Sequence, residues 1–369
     1  MKNRPSSPLR QRGLTLVELM VALVLGLVVI GAVVNLFLTN RQTYRTTENL
    51  ARMQENLRFA FELMVALVLG LVVIGAVVNL FLTNRQTYRT TENLARMQEN
   101  LRIAYELMAR DVREAGATAC GSININNIVN IFLNEVPVWN FHSETIKGYI
   151  AGTTPTFFAP SNVTTDSPIL SITKGTSPAN ETSVVFHDPK NAVLTLSNLN
   201  SIETGDILFI CLGKDAAIFQ ASNVDSEHKT VKHESSSNIT KGNRTSCLTA
   251  QTLQSSNNTC ENSFQGATIL PLQIIRWYVG VNNRGGTSLY RKVGNDNTVE
   301  MVPDIDQLTL AFLSQGGTTY QPIASVTDWT QVRAVRIVVR SVSTDKVGTD
   351  GQPLRREYPF TIALRNRLD

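Results

Sequence analysis

Charged residues are scarce in this chain, and no charge of one sign dominates it. Only 17% of its 369 residues are charged, whereas 43% are hydrophobic. This balance excludes an intrinsically disordered chain, which would be richer in charge and poorer in apolar residues. The net charge of +4 is too small for the electrostatic footprint of a general nucleic-acid binder. Four cysteines are too few for a small disulfide-built domain, although an even count allows two bridges.

Motifs for catalysis and metal binding are missing as well. The sequence contains no Gly-x-Ser-x-Gly, no phosphate-binding glycine loop, no EF-hand loop and no Cys-x-x-Cys. His187 has no nucleophile pattern around it, so we interpret it as a histidine at a strand end. His228 and His233, with Glu227 and Glu234, are candidates for a surface metal site, but solvated loop residues are the simpler interpretation. We therefore predict no enzyme, no cofactor and no metal.

What the chain does contain is a long apolar run behind a basic N-terminus. The first thirteen residues carry four basic side chains and no acid. Leu19–Val34 has no polar side chain, and beyond Asn35 the run continues to Leu38. About twenty helical residues cross ~30 Å of hydrocarbon, and basic residues hold the preceding end in the cytoplasm. The pattern predicts a single membrane span.

Two details argue against an ordinary secretory signal. The run is too long for the apolar core of a signal peptide, and no small-x-small cleavage site follows it. Glu18 lies at the start of the run, where an unpaired carboxylate costs a few kcal/mol. An anchor gains nothing from this acid, so we expect Glu18 to have a partner.

The residues from Gly13 to Ala22, Gly-Leu-Thr-Leu-Val-Glu-Leu-Met-Val-Ala, resemble the class III signal of type IV prepilins and pseudopilins. The resemblance implies cleavage after Gly13 by a prepilin peptidase and methylation of Leu14, where the family usually has Phe. Glu18 becomes the fifth mature residue. Its implied role is to neutralise the N-terminal ammonium of a neighbouring subunit in a low dielectric, where an unpaired charge is heavily penalised.

A tandem repeat follows the motif. Glu18–Arg58 is identical to Glu62–Arg102 at an offset of 44 residues. Perfect identity indicates a recent duplication or an error in the determined sequence, and we predict that the second copy has no function of its own. The alternative is two functional membrane spans, but these would return the head to the cytoplasm, where disulfides rarely persist. Phe59-Ala60-Phe61 precedes Glu62 with no glycine at the cleavage position, so we expect processing only at Gly13.

Beyond the repeat, apolar residues recur at steps of three and four, which predicts an amphipathic stem helix that ends near Gly116. Its apolar stripe consists of Leu94, Met97, Leu101, Ala104, Met108, Val112 and Ala115. On the opposite face we expect an ion pair between Glu106 and Arg110, four residues apart.

The composition changes to Ser, Thr, Asn, Gly and Val after the stem. Hydrophobic patterning predicts strands at Ser183–His187, Ala192–Ser197, Asp206–Cys211, Ala217–Ala221, Gln273–Val281, Ser288–Val293, Leu308–Leu313, Val332–Val342 and Tyr358–Arg365. Asn282–Gly286 is a predicted hairpin turn. Asp225–Asn262, rich in Ser and Asn, is a predicted surface excursion.

The expected fold class is therefore α+β, with a long N-terminal membrane and stem helix packed on an antiparallel sheet. The expected segments are a leader (1–13), the helix and stem (14–116) and a periplasmic head (117–369).

All four cysteines lie in the head, which fits an oxidising periplasm. Three pairings are open. We favour Cys247 with Cys260, closing the Ser/Asn-rich loop, and Cys120 with Cys211, joining the helix end to a strand. Free buried thiols are the alternative.

The head resembles the large PilW-like minor pilins of type IV pili. The resemblance rests on Gly205–Leu208 leading to Ala216–Gln220, on the Trp277–Gly280 to Ser288–Arg291 hairpin, and on Val332–Ile337. It implies a minor pilin in the inner membrane of a Gram-negative bacterium, with a periplasmic head that later enters the pilus fibre. Its implied partners are other minor pilins, the major pilin, the prepilin peptidase and the inner-membrane assembly platform, with no nucleic acid. A type II secretion pseudopilin, and a tip adhesin or DNA-uptake protein using Asp225–Asn262, stay open as alternatives.

Overall fold

The computed structural model describes residues 16–118, 124–127, 132–133, 136–137, 145–153, 160–176, 181–200, 202–236, 242–248, 260, 262–294, 298–348 and 350–367. The chain forms two compact units, which divide between Arg85 and Gln86.

A single α-helix, α1, runs from Leu16 to Arg113. The segment contains no proline and is rich in leucine, alanine and other residues that lose little side-chain freedom in a helix. Gly116, with φ +72°, follows the end of the helix, and its N–H donates to the carbonyl of Thr173. A left-handed residue just beyond a helix is the usual way to end one, and glycine adopts it without strain. The predicted stop is therefore correct.

Ion pairs four residues apart line the exposed side of α1, at Glu48–Arg52, Arg58–Glu62, Glu92–Arg96 and Arg102–Glu106. The expected pair between Glu106 and Arg110 is wrong, because Glu106 binds the preceding Arg102 at 3.0 Å instead.

The described strands begin and end as follows: β1 Asn124–Asn127, β2 Phe132–Leu133, β3 Val136–Pro137, β4 Ile146–Tyr149, β5 Ile169–Gly175, β6 Thr182–Asp188, β7 Val193–Leu196, β8 Ile207–Leu212, β9 Asp215–Gln220, β10 Asn223–Asp225, β11 Thr230–Lys232, β12 Thr268–Val281, β13 Thr287–Val293, β14 Val299–Pro303, β15 Ile305–Ser314, β16 Gln321–Pro322, β17 Val332–Val342 and β18 Arg355–Ala363. Short 3₁₀ helices lie at Ile323–Ser325, Trp329–Gln331 and Arg365–Arg367.

Long strand β12 organises the larger of the sheets. The order of the main path is β1-β9-β8-β12-β6-β7-β11-β10, and the second half of β12 pairs with β5 and β13, which carry β4 and β14. A second sheet has the order β16-β15-β17-β18, and β2 pairs with β3. The pairing is antiparallel between these strands except for β1 with β9, which is parallel. The expected α+β class, a long apolar helix with antiparallel sheets, is confirmed.

Of the four buried apolar clusters in the described part of the head, two are large cores. The larger one joins the end of α1 to β12, β13 and the second sheet, with Leu101, Met108, Trp277 and Phe312 among its members. The smaller one lies under β6 to β11 and receives no residue of the helix; Phe219 belongs to it. Among the described residues, the larger core is the one that contains helix residues and so connects stem and head.

Each predicted strand has an observed counterpart, and Val332–Val342 matches β17 at both ends. The last strand lies two to three residues earlier than predicted, at Arg355–Ala363. Strands β1 to β5, β10, β11, β14 and β16 were not predicted. All seven residues of β5 are buried, including the polar residues Ser171, Thr173 and Lys174. Because polar residues usually indicate an exposed segment, the sequence pattern did not predict this strand.

The expectation that Asp225–Asn262 is a surface excursion is wrong for several of its residues. Thr230–Lys232 is strand β11, which pairs with β7, and its Val231 is fully buried. Asn243 is also fully buried, because its side-chain amide exchanges hydrogen bonds with the backbone of Gln220, at 2.7 and 2.8 Å.

Candidate assembly surfaces and buried polar clusters

Glu18 lies in the first turn of α1. A carboxylate is stabilised there, because unpaired backbone N–H groups give the start of a helix a partial positive charge. Its neighbours in this turn are exposed, with Leu16 79% and Leu19 55% accessible. Gly13 and Leu14, the predicted cleavage residues, lie outside the described residues.

The apolar run after Glu18 is exposed over its whole length. From Leu19 to Leu38, the large hydrophobic side chains are between 50% and 67% accessible. Its helix is long and apolar enough to cross a membrane. A surface of this kind is unstable in water and needs either lipid or other apolar helices around it.

The two identical copies have different surroundings. In the second copy, Met97 is 2% and Leu101 3% exposed, because the head covers them. Their counterparts in the first copy, Met53 and Leu57, are 58% and 64% exposed. The same residues are therefore buried in the second copy and exposed in the first. The predicted apolar stripe of the stem is confirmed as a buried face from Met97 to Ala115.

Hydrogen bonds connect the stem to the head near both ends of the helix segment that packs on the head. The Asn93 side-chain amide donates to the Asp345 carboxylate at 3.2 Å, and Asn100 donates to the carbonyl of Pro303 at 3.1 Å. At the other end of the stem, Asn366 donates to the carbonyl of Ala115 at 2.9 Å. These hydrogen bonds fix the two ends of the buried stem segment, Asn93 to Ala115, against the head.

A buried charge, Asp111, lies at the centre of the stem–head contact. Its carboxylate is 1% exposed and accepts hydrogen bonds from Trp277 Nε1 at 3.0 Å, Lys174 Nζ at 2.9 Å and Arg291 Nε at 2.8 Å. Lys174 also pairs with Glu114. Burial by itself would raise the pKa of the Asp111 carboxyl, but the bonds from Arg291 and Lys174 outweigh it and hold that pKa below its usual value.

No sequence pattern had singled out this cluster. Asp111 interrupts the apolar stripe at a position adjacent to Val112, and its three partners come from β5, β12 and β13. A charged residue next to an apolar stripe is usually solvated, so only the fold brings the four side chains together.

His187 and His233 form a second buried pair, in the smaller core. Their Nε2 atoms lie 3.1 Å apart, and the side chains are 4% and 0% exposed. The expectation that His233 is a solvated loop residue is therefore wrong. Of the other predicted surface residues, His228 is exposed and contacts Asp225 at 2.8 Å, which does not bring it to His233.

The hydrogen bonds define the protonation of this pair. The backbone N–H of Phe264 donates to His187 Nδ1 at 2.9 Å, so a neutral His187 carries its proton on Nε2 and donates it to His233. Burial lowers the pKa of His187 to about 4, and burial together with His187 lowers that of His233 to about 3. Because both pKa values lie well below neutrality, the pair is a neutral hydrogen-bonded unit near pH 7. Within the described ranges, no group of three or more His, Cys, Asp or Glu side chains lies together.

Three of the four cysteines of the head are described, and all three are in disulfide bonds. Cys247 is bonded to Cys260, with their Cα atoms 5.2 Å apart, which closes the Ser/Asn-rich segment. Cys211 is disulfide-bonded as well. Cys120, the partner expected for Cys211, lies outside the described residues.

One comparison with known proteins gives a match. Residues 8–34 match the family model described as the prokaryotic N-terminal methylation motif. No curated protein and no solved structure matches the chain. The motif supports a type IV pilin-like or pseudopilin-like protein, and it points to a structural protein rather than an enzyme. Together with the apolar helix, it fits an inner-membrane-anchored pilin that interacts with other pilins and the assembly machinery.

Proposed function

We propose that this chain is a minor pilin of the PilW-like kind, which primes the assembly of type IV pili. The observation that carries the proposal is the methylation motif at residues 8–34, which leads into an exposed apolar helix whose far end is the stem of a large β-rich head. In this proposal the peptidase cleaves after Gly13, Leu14 is methylated, and the head enters the fibre with the other minor pilins.

Glu18 would set the position of the subunit in the assembly. A carboxylate among exposed leucines is costly in lipid unless a positive charge meets it. The methylated N-terminal ammonium of a neighbouring subunit supplies that charge at one height along the helix. Subunits would therefore align before their heads make lateral contacts.

The head would act as a rigid part. The Asp111 cluster joins the helix to β5, β12 and β13, so a force on the helix is transmitted to the sheet through buried charge-assisted bonds. The Cys247–Cys260 disulfide supports a periplasmic location for the head, because disulfides persist in oxidising compartments.

The test is a deletion of the gene with complementation by the full chain, scored for surface pili and for exoprotein release. We expect the deletion strain to lose most surface pili and twitching while secretion stays intact. Normal piliation with lost secretion would instead identify a type II pseudopilin. Normal piliation with lost surface adhesion or DNA uptake would identify a tip-binding protein.

A further inference from the structure

The helix of the first unit contains two separate apolar segments. The first apolar segment is Leu19–Leu38, and the second apolar segment is its copy, Leu63–Leu82. Both lie in α1 without a break between them. Equivalent positions are 44 residues apart, which is about 66 Å along a helix. A hydrocarbon core is only ~30 Å thick, so one bilayer cannot hold both segments, and an unbroken helix has no turn at which to re-enter it.

The first apolar segment is the one that we assign to the bilayer. The methylation motif covers residues 8–34 and so includes most of it, whereas Phe61 and Glu62 precede the second segment without the glycine of the motif. With the first segment in the bilayer, the second one lies outside that bilayer. Its side chains are as exposed as those of the first, for example Val72 at 63% and Leu80 at 65%. Such a surface must be covered in water.

A second copy of this chain is the partner that fits. Any copy anchored by its own first segment carries its second segment at the same height above the membrane. A partner with only one apolar segment would have a polar stem at this distance from the membrane. It would leave the second apolar segment exposed to water. The charge at the start of the segment is already compensated within the chain, because Arg58 Nε binds Glu62 at 3.0 Å.

The segment also has a seam suited to helix pairing. Val65, Val68, Val72, Gly75, Asn79 and Leu82 recur at alternating steps of three and four, which places them along one side of the helix. Gly75 has no atom within 4 Å of the position where a side chain would begin, so a partner backbone can approach it closely. Asn79 is exposed and is the only polar residue of the segment. A single asparagine in such a seam sets register and favours two strands.

We propose that the second apolar segment pairs in parallel with the same segment of a second copy of this chain, along the seam from Val65 to Leu82 and with the two Asn79 side chains facing each other. The pairing requires that the first segment is the membrane anchor. It does not require the role in pilus priming, so the two proposals can fail separately.

The test is oxidative cross-linking of single added cysteines in intact membranes. Val72→Cys lies in the seam, Leu71→Cys lies beside it in the same segment, and Val28→Cys is the matched position of the first copy. We expect disulfide-linked dimers of this chain to form several-fold more at residue 72 than at residues 71 and 28. Equal yields at the three positions, or products linked mainly to a different protein, would overturn the proposal.

Asn79→Leu allows a second test, which needs no added cysteine in the seam. Losing the polar residue removes its preference for two strands, so we expect trimers and larger products after amine cross-linking. Asn35→Leu, the same change in the first copy, should leave the distribution unchanged. Labelling of the second segment by a lipid-confined photoprobe as strongly as the first would contradict the proposal, as would a mature protein whose intact mass shows only one copy.

Discussion

Asp111 in the helix and Trp277 in β12 are joined by a buried hydrogen bond of 3.0 Å, although 166 residues separate them in sequence. The same carboxylate also accepts hydrogen bonds from Lys174 and Arg291, so one side chain of the stem pairs with two cations of the head. This relationship explains why stem and head are packed as one body, and it leads to the first prediction.

Replacing Asp111 by Ala should destabilise the head severely. The change leaves the buried Lys174 with only the half-exposed Glu114 as a counter-charge, and breaking a buried pair on one side costs about 3–5 kcal/mol. The free energy of unfolding of the solubilised chain, followed by tryptophan fluorescence, measures the effect. The control is Glu106→Ala on the same helix, whose exposed pair with Arg102 is worth less than ~1 kcal/mol. Similar losses for both variants would contradict the assigned role of Asp111.

The His187–His233 pair should make the smaller core acid-sensitive. Both folded pKa values, about 4 and about 3, lie below the ordinary value of 6.5, so the unfolded chain takes up protons first. The contribution to stability is complete above pH 6.5 and is lost as the pH falls from there towards 4 and 3, at about 1.4 kcal/mol per unit of pKa difference. Hydrogen exchange of β6 and β11 amides as a function of pH measures it.

The matched variants for this effect are His233→Phe and His228→Gln. We expect His233→Phe to flatten the dependence of exchange on pH, since it removes the most strongly buried titrating ring. His228→Gln should leave the dependence intact, because the His228 side chain is 70% exposed. An unchanged pH profile in His233→Phe would show that other groups govern the acid response.

Glu18→Ala should still be cleaved but should enter pili poorly. In the proposed role, cleavage requires Gly13, whereas alignment with a neighbour requires the Glu18 carboxylate in the first turn of the helix. The mass of the N-terminal peptide and the amount of the chain in sheared pili separate the two steps. Glu62→Ala is the matched control, because Glu62 has the same sequence after it and lies in the second copy, outside the methylation motif. Normal incorporation when both acids are replaced would refute the neutralisation argument.

Deleting Glu18–Phe61 should leave the head as stable as before. The deletion rejoins Val17 to Glu62 and so restores the motif and one full copy. Met53 and Leu57 are exposed, and the removed block supplies no residue to either core, so we expect a change within about 0.5 kcal/mol. Thermal unfolding of both chains compares them. A large loss would show that the first copy supports the head.

The strongest sequence predictions rest on patterns that are local. The basic N-terminus, the apolar run and Glu18 indicated a membrane helix with an assembly signal, and the stripe from Met97 to Ala115 indicated the buried face of the stem. Helix periodicity and membrane length are properties of neighbouring residues, so they can be read without a fold. Alternation in Val332–Val342 marked β17 for the same reason.

The features missed were those that depend on distant partners. Strand β5 contains three polar side chains, Ser171, Thr173 and Lys174, yet all of them are buried. The strand pairs with β12, and Asp111 of the helix accepts a hydrogen bond from Lys174. His233 looked like a loop residue because His187, its partner, comes 46 residues earlier. Burial of a polar group depends on what the fold places beside it, which a local pattern does not contain.

The sequence by itself determined that the chain has a long apolar helix behind a basic N-terminus, a duplicated segment and a β-rich head. Only the tertiary structure decided which of two identical copies is buried: Met97 is covered and Met53 is open, although the same residues surround both in the chain. The physical reason is that the head joins the chain directly after the second copy, where Asp111 supplies the carboxylate for Lys174 and Arg291. The residue 44 positions before Asp111 is Leu67, in the second apolar segment, and it has no charge to offer them.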